Sequence, residues 1–185
     1  MNVTLLAVGR LRPSLREACD DYLRRLSRHL SIQEVEVREA SRAPTPDAQR
    51  RDEAERLIAR LPDGADVVCL ARNGRPWSSD DLAAQLRGWQ LRARPVAILI
   101  GGSHGLSDAL LTRSGAVWSL GPLTLPHELA RVVVVEQLYR CFLSEEVIIL
   151  ELPSKSNEVT SNASDRCTGC SRKCTYGSSI GLPLM

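Results

Sequence analysis

Short apolar runs and amphipathic stretches alternate along the first third of the chain. The opening run "NVTLLAVG" predicts a buried strand, and "SLREACDDYLRRLSRHL" predicts a helix that begins with a capping box between Ser14 and Glu17. The run "SIQEVEV" alternates as a half-buried strand does, and residues 47–61 carry apolar positions at helical spacing. Two strand–helix units are therefore predicted before residue 62.

The same alternation continues to about residue 142. We predict strands at "DVVCLA", "PVAILI" and "AVWSL", loops at "RNGRPW" and "GPLTLPH", and helices over residues 79–92, from Ser107, and from Pro126 to about Phe142. Strands that alternate with helices favour an α/β fold, in which a mainly parallel sheet carries helices on both faces.

Composition is typical of a soluble globular protein. The chain has 185 residues, of which 43% are hydrophobic and 25% charged, and this predicts one folded domain. Its apolar runs stay far below the roughly 20 residues of a membrane span, and its first residues lack the charge and apolar length of a signal peptide. We therefore expect a cytoplasmic protein without a membrane partner.

The basic residues are unevenly distributed, although the net charge is only +2. Of the 24 basic residues 22 are arginines, and 20 of these arginines precede residue 141. The net charge does not by itself indicate a nucleic-acid partner, but a basic face can be built within a balanced total.

The composition changes from about Cys141. One more apolar run, "VIILEL", is followed by a segment rich in Ser, Thr, Asn and Cys, so we predict a domain over residues 1–152 and a flexible tail over residues 153–185. Cys167, Cys170 and Cys174 leave two alternatives, a metal or iron–sulfur site and reduced thiols on the tail. Structural zinc takes four ligands, so three clustered thiols without a nearby histidine argue against a metal site and favour reduced thiols.

The stretch "ILIGGSHGLS" leads from a predicted strand into a glycine-rich turn. A P-loop would need Gly-Lys-Ser/Thr here, and a dinucleotide fingerprint would need G-x-G-x-x-G in the first strand–helix unit, so both are excluded. Glycine permits positive φ and a close approach of the backbone to a ligand. The turn is therefore either part of a ligand site or a tight connection without a ligand.

The predicted helix from Pro126 is apolar almost all round at Val132 to Val135. Such a helix must be covered on more than one side. The cover is either a second copy of the chain at a two-fold interface or the rest of a monomer's core.

Five segments together resemble one enzyme family. They are "AVGRL", "YLRRL", "LARNGRPWSSDDLAAQL", "ILIGGSHGLS" and "WSLGPLTLPHELARVVVVEQLYR", within residues 1–140. In this order and spacing they are similar to the ribosomal large-subunit pseudouridine methyltransferase H family, a branch of the SPOUT RNA methyltransferases. The resemblance implies a homodimer with a C-terminal deep trefoil knot that uses S-adenosylmethionine. It also implies methylation of N3 of a pseudouridine in 23S rRNA of the assembled ribosome, with no DNA partner.

The resemblance also assigns residues to a cofactor site made of three loops. In that assignment glycine at 101 avoids a collision with the ligand, and the segment "SLGPLTL" supplies an apolar slot and backbone groups for adenine. The cofactor-binding residues implied are Leu70, Gly101, Gly102, Leu120, Gly121, Pro122, Leu123, Thr124 and Leu125.

The acceptor side rests on His127 and Arg131, which lie one helical turn apart beside the cofactor loop. Either they contact RNA phosphate or the uracil edge, or His127 caps neighbouring loops and Arg131 is a surface arginine. His104 and His29 are predicted to face solvent without a role. No catalytic residue is assigned.

The sequence departs from the family after Arg140. Family members end in a tail with Tyr-His and a basic residue near the active site, whereas no histidine follows His127 here. A replaced C-terminus, for instance from a shifted reading frame, is one explanation. The alternative function is then a dimeric RNA- or ribosome-binding protein with the same fold and impaired catalysis.

Overall fold

The computed structural model describes residues 1–151, with side chains through Leu143. In this part of the chain five strands alternate with five helices. In chain order they are β1 (Asn2–Val8), α1 (Pro13–Leu26), β2 (Ser31–Val37), α2 (Pro46–Ile58), β3 (Asp66–Pro76), α3 (Ser79–Arg92), β4 (Val96–Ile100), α4 (Asp108–Arg113), β5 (Ala116–Ser119) and α5 (His127–Glu151).

The five strands form one parallel sheet in the order β2-β1-β4-β3-β5. Successive side chains of a strand point to opposite faces, so β1 serves two cores. Leu5 packs with α1, α3 and α5 on one face, and Leu6 packs with α2 and α4 on the other. The predicted α/β fold with helices on both faces is therefore confirmed.

The start of α1 differs from the prediction. The helix begins at Pro13 with Arg12 at the N-cap, and no side chain caps it. Proline suits the first helical position because it has no N–H to satisfy and its φ is already helical. Ser14 and Glu17 consequently lie inside the helix, and the predicted capping box is wrong.

Strand β3 is longer than predicted and includes most of the segment expected to be a loop. Its pairing with β5 shifts, so that both Leu70 and Arg75 lie opposite Trp118. The residues between them interrupt the register of the pair. The shift places Pro76 opposite Ser119, so backbone from β3 lies beside the end of β5.

Helix α5 extends beyond the predicted end at Phe142 and is covered on two sides by its own chain. The Ser79 hydroxyl of α3 donates to Gln137 at 3.1 Å, and the rings of Tyr22 and Tyr139 lie 6.0 Å apart.

His29 is half-buried, with its ring stacked 6.3 Å from Phe142, so its predicted exposure is wrong.

No helix among residues 1–151 is both long and apolar enough to cross a membrane. The predicted flexible tail over residues 153–185, with Cys167, Cys170 and Cys174, lies outside the described residues.

Candidate functional site

Three predicted cofactor loops leave the sheet side by side. Leu70 on β3 lies opposite Ile100, the residue before Gly101, and also opposite Trp118 on β5, two residues before Leu120. All three strands run parallel, so the loops that follow them meet at the carboxyl edge. In open α/β sheets this edge is where ligands bind. We call the surface formed by Leu70, Gly101, Gly102 and residues 120–125 the cradle.

The glycine turn is required by the chain's own packing. A Cβ placed on Gly101 would lie 2.4 Å from the carbonyl carbon of Gly105 and 2.8 Å from the nitrogen of Leu106. Gly105 also donates its N–H to the carbonyl oxygen of Gly102 at 3.0 Å. The close approach that needs glycine at 101 is therefore one between two parts of the turn, whereas the sequence analysis expected a ligand there.

Gly102 lies against a buried carboxylate that the sequence analysis missed. Glu53 on α2 is 2% exposed, and its Oε2 would lie 3.1 Å from a Cβ on Gly102. Oε1 of Glu53 accepts from the Ala40 nitrogen at 3.0 Å and from Gln49 at 2.9 Å, whereas Oε2 has no hydrogen-bond partner within the described residues. The sequence did contain a signal, because Glu53 stands one turn before Leu57 on the apolar stripe of α2.

The segment after β5 presents open backbone beside apolar side chains. Gly121 has φ +117°, and a Cβ there would meet no atom within 4 Å. Leu120 and Leu125 are half-buried, whereas the three residues of 122–124 are exposed. Within the described residues, the groups of residues 122–125 form no backbone–backbone hydrogen bond. The carbonyl oxygens of these four residues and the N–H groups of residues 123–125 are therefore available to a ligand.

Ser119 joins two loops of the cradle. Its hydroxyl lies 3.1 Å from the carbonyl oxygens of both Arg72 and Gly121 and accepts from the Gly121 nitrogen at 3.2 Å. Gly74 permits the same contact between β3 and β5, because a Cβ there would lie 2.7 Å from the Val117 carbonyl oxygen. Sequence reasoning missed both residues, since a serine at the end of a strand has no distinctive pattern and Gly74 lay in a predicted loop.

The start of α5 lies over the end of β1. Nε2 of His127 would be 3.4 Å from a Cβ on Gly9, which has φ +81°. Beside it, Glu128 accepts from the Arg12 nitrogen at 2.7 Å and from the Arg12 guanidinium at 3.0 Å. The hydrogen bonds from the Arg12 side chain, with those from its backbone, lower the pKa of Glu128 to about 2. His127 is half-buried at this position.

Arg131 does not lie on the surface as the sequence analysis expected. Its side chain is fully buried. Nη1 donates to Glu34 at 3.0 Å and to Glu36 at 2.8 Å, and Nη2 donates to the carbonyl oxygens of Val8 at 3.1 Å and Gly9 at 2.9 Å. Because its Nη atoms are occupied inside the chain, we do not retain Arg131 as an RNA contact.

Two further predictions concern the exposure of His104 and the shared surface of His127 and Arg131. His104 is exposed in the glycine turn, as expected. His127 adjoins Gly9, while Arg131, one turn later, points into the interior, so the two side chains do not share one surface.

Comparisons with known proteins match the chain to one family. A family model described as "Predicted SPOUT methyltransferase" matches residues 1–145. The chain is 42% identical over 145 residues to the ribosomal RNA large subunit methyltransferase H of Pseudomonas aeruginosa (strain LESB58), with 77% of this chain and 94% of the relative covered. The protein of the same name from Ectopseudomonas mendocina (strain ymp) is 39% identical with the same coverage.

One solved structure supports the fold independently of close sequence similarity. A "probable methylase family protein" from Haemophilus influenzae Rd KW20 superposes with a TM-score of 0.50 at 13% identity, and the match covers 85% of this chain and 73% of that protein. The family model spans more than half of the chain, and the relatives are covered almost throughout. The chain therefore belongs to the SPOUT methyltransferase family.

Proposed function

We propose that this chain is a cytoplasmic homodimer that methylates N3 of a pseudouridine in 23S rRNA of the assembled ribosome, with S-adenosylmethionine as the methyl donor. The observation that carries the proposal is the 42% identity over 145 residues to proteins named ribosomal RNA large subunit methyltransferase H. Family membership also implies the deep trefoil knot, a rare exception to the rule that chains do not thread their own loops.

The cradle has the chemistry that the cofactor requires. An adenine ring needs an apolar slot and hydrogen-bonding groups at its edge. Leu70, Leu120 and Leu125 are half-buried and supply the apolar surface, and the backbone of residues 122–125 supplies donors and acceptors without a charge. When bound, S-adenosylmethionine supplies a methyl group already activated on a sulfonium.

The chain itself positions the two reactants. Ser119 fixes the exits of β3 and β5 against each other, and the turn from Gly101 to Gly105 is held by its own packing. These contacts preorganise the cradle before the cofactor binds. Holding the donor in line with the accepting nitrogen is the main catalytic task, because misplacement by about 1 Å can cost on the order of a hundredfold in rate.

On the acceptor side we retain His127. It is half-buried where the start of α5 lies against the loop after β1, two residues after Leu125, the last residue of the cradle. Arg12 donates four hydrogen bonds to Glu128, and these fix the start of the helix. We infer that His127 contacts the uracil edge or the adjoining phosphate.

Exposed apolar side chains support the homodimer. Leu123 is 76% exposed, Leu129 is 38% exposed and Leu143 is 39% exposed. Leu123 belongs to the cradle, and the other two lie on α5 with half-buried Val132 and Val133 between them. A two-fold interface over this surface would bury these side chains and bring a second chain to the cradle.

One observation keeps the second candidate open. The family match ends at residue 145, so residues 146–185 have no counterpart in it. If the tail that we propose over residues 153–185 replaces the family's own C-terminus, the chain binds RNA or ribosomes as a dimer and turns over poorly. Both candidates require an intact cradle, and only the first requires methyl transfer.

The cradle can be tested by calorimetric titration with S-adenosylmethionine. In Gly121→Val the added side chain enters open space beside Leu120, so we expect cofactor affinity to be lost. Gly64→Val is the matched control, because Gly64 also has positive φ, +65°, and an open Cβ direction but lies in the turn between α2 and β3. Equal affinities in the two folded variants would refute the cradle.

A further inference from the structure

Two adjoining clefts lie at the carboxyl edge of β1 and β2, outside the cradle. Their volumes are about 610 Å³ and 340 Å³, and Arg38, Glu39 and Ser41 line both. Arg10 lines the first cleft, and Arg42 and Arg56 line the second. We call this continuous surface, defined by its four arginines and Ser41, the arginine groove.

Three of these arginines have no charged partner among the residues whose side chains the structure describes. Arg10, Arg38 and Arg42 are exposed and form no ion pair within the described residues. Arg56 donates to the Arg38 carbonyl oxygen at 2.6 Å, which fixes the backbone of the groove. Exposed arginines that lack a protein partner are free to bind an external anion.

The acids of the groove do not cancel this charge. Glu36 is paired with Arg16 and with buried Arg131. Glu39 accepts from Gln49 and Ser103 at 3.3 and 3.2 Å. Asp52 is the remaining carboxylate lining the clefts. Because Glu36 is paired with cations outside the clefts, the groove has four arginines against the two carboxylates of Glu39 and Asp52.

The groove is connected to the site at two places. At one end Gly9 lines the first cleft, and Nε2 of His127 would lie 3.4 Å from a Cβ there. Along one side, the Ser103 hydroxyl of the glycine turn donates to Glu39. An extended polyanion lying in the groove would therefore pass beside His127.

The side chains favour a backbone contact over a base contact. Guanidinium groups match phosphate geometry and bind it through paired N–H donors. Recognition of unstacked bases uses aromatic platforms, and none of the residues lining the two clefts is aromatic. Phosphate contacts position a nucleic acid without reading its sequence.

We propose that the arginine groove binds the phosphate backbone of the RNA strand that carries the acceptor base, and so sets the position of that base at His127. This inference rests on the proposed function. It adds a substrate-positioning surface on α2 and on the loops that follow β1 and β2, which adjoins the glycine turn but contains none of the cradle residues.

The test compares ribosome binding by three forms of the full chain over a range of salt concentrations. The groove variant combines Arg10→Gln, Arg38→Gln and Arg42→Gln. The control variant combines Arg28→Gln, Arg60→Gln and Arg113→Gln, which are also exposed and lie where α1, α2 and α4 end at the opposite edge of the sheet. Both variants lose the same charge.

Each phosphate contact contributes roughly 0.7 to 0.9 to the slope of log affinity against log salt concentration, so three contacts contribute about 2 to 3. We expect the groove variant to lose that much slope and the control variant to keep the wild-type slope. Both should bind S-adenosylmethionine as the wild type does. Equal slopes for the two variants would overturn the groove.

A photo-reactive residue distinguishes RNA from an acidic protein surface. Ser41 is exposed in the groove, so p-benzoylphenylalanine placed there should crosslink to 23S rRNA on the ribosome. Crosslinking only to a ribosomal protein would overturn the RNA assignment while leaving the methyltransferase proposal standing. Failure of the wild-type chain to bind ribosomes at any salt concentration would overturn the proposed function, and the groove with it.

Discussion

Nη2 of Arg131 donates to the carbonyl oxygen of Gly9 at 2.9 Å and so joins two residues 122 positions apart. The same guanidinium holds Glu34 and Glu36 on β2. One buried side chain on α5 therefore ties together the ends of β1 and β2. This contact fixes the helix that carries His127 against the loop below it.

Arg131→Met should destabilise the fold strongly. It removes the donor of the Val8 and Gly9 carbonyl oxygens and leaves Arg16 as the remaining partner of Glu34 and Glu36. Each buried acceptor left without a donor costs about 1–3 kcal/mol. Arg140→Met is the control, since Arg140 is 61% exposed on the same helix and pairs with Glu136, where a loss of about 0–1 kcal/mol is expected. Urea unfolding measures both. Equal losses would show that Arg131 does not organise this end of the sheet.

Gly101→Ala should destabilise the chain even without cofactor. The new Cβ would be forced to within 2.4 Å of the Gly105 carbonyl carbon, and overpacking of this kind costs about 1–3 kcal/mol or more. Gly115→Ala, whose Cβ would lie 3.5 Å from the Val67 carbonyl oxygen, should change stability little. If Gly101→Ala without cofactor is as stable as the wild type, the turn's own packing does not require glycine at 101, and a ligand must explain it.

The contact between Arg12 and Glu128 should depend on pH in one direction. The pKa of Glu128 is lowered to about 2, from an ordinary value near 4.5. A lowered carboxyl pKa contributes stability that is complete above the ordinary pKa and disappears as pH falls through the folded value. The stability difference between wild type and Glu128→Gln should therefore be present at pH 7 and shrink between about pH 4.5 and 2. Urea unfolding over this range checks it, and a constant difference would contradict it.

Val133→Asp should separate the proposed dimer. Val133 is half-buried on α5 between exposed Leu129 and Leu143, and a charge there would be desolvated at a two-fold interface. Leu91→Asp is the control, because Leu91 is 87% exposed on α3. Sedimentation velocity at micromolar concentration should show a dimer for wild type and control and a monomer for Val133→Asp. A monomeric wild type would refute the interface.

The order of elements follows from the sequence because each strand and helix has its own periodicity. Residues 79–92 are helical as predicted, since Ser78 caps them and Asp81 completes a capping box. The start of α1 was missed because two local signals compete, and Pro13 takes the first helical position ahead of the capping pattern at Ser14.

The site was less predictable because its contacts join distant segments. The burial of Arg131 depends on Glu34 and Glu36, which lie 97 and 95 positions away. No periodicity of α5 reports these partners, and an arginine beside a proposed RNA site is normally expected at the surface. Glycine at 101 was predicted to be necessary, but its neighbour is Gly105 of the same turn.

The most direct test of the account is single-turnover methyl transfer to ribosomes from a Pseudomonas aeruginosa strain whose own methyltransferase H has been deleted. We expect methyl from labelled S-adenosylmethionine to appear on N3 of one pseudouridine in 23S rRNA, identified by mass spectrometry of nuclease fragments. The Gly121→Val chain should transfer none, and the Gly64→Val chain should transfer as the wild type does. Cofactor and ribosome binding without any transfer by the wild-type chain would contradict the enzyme and leave the binding protein.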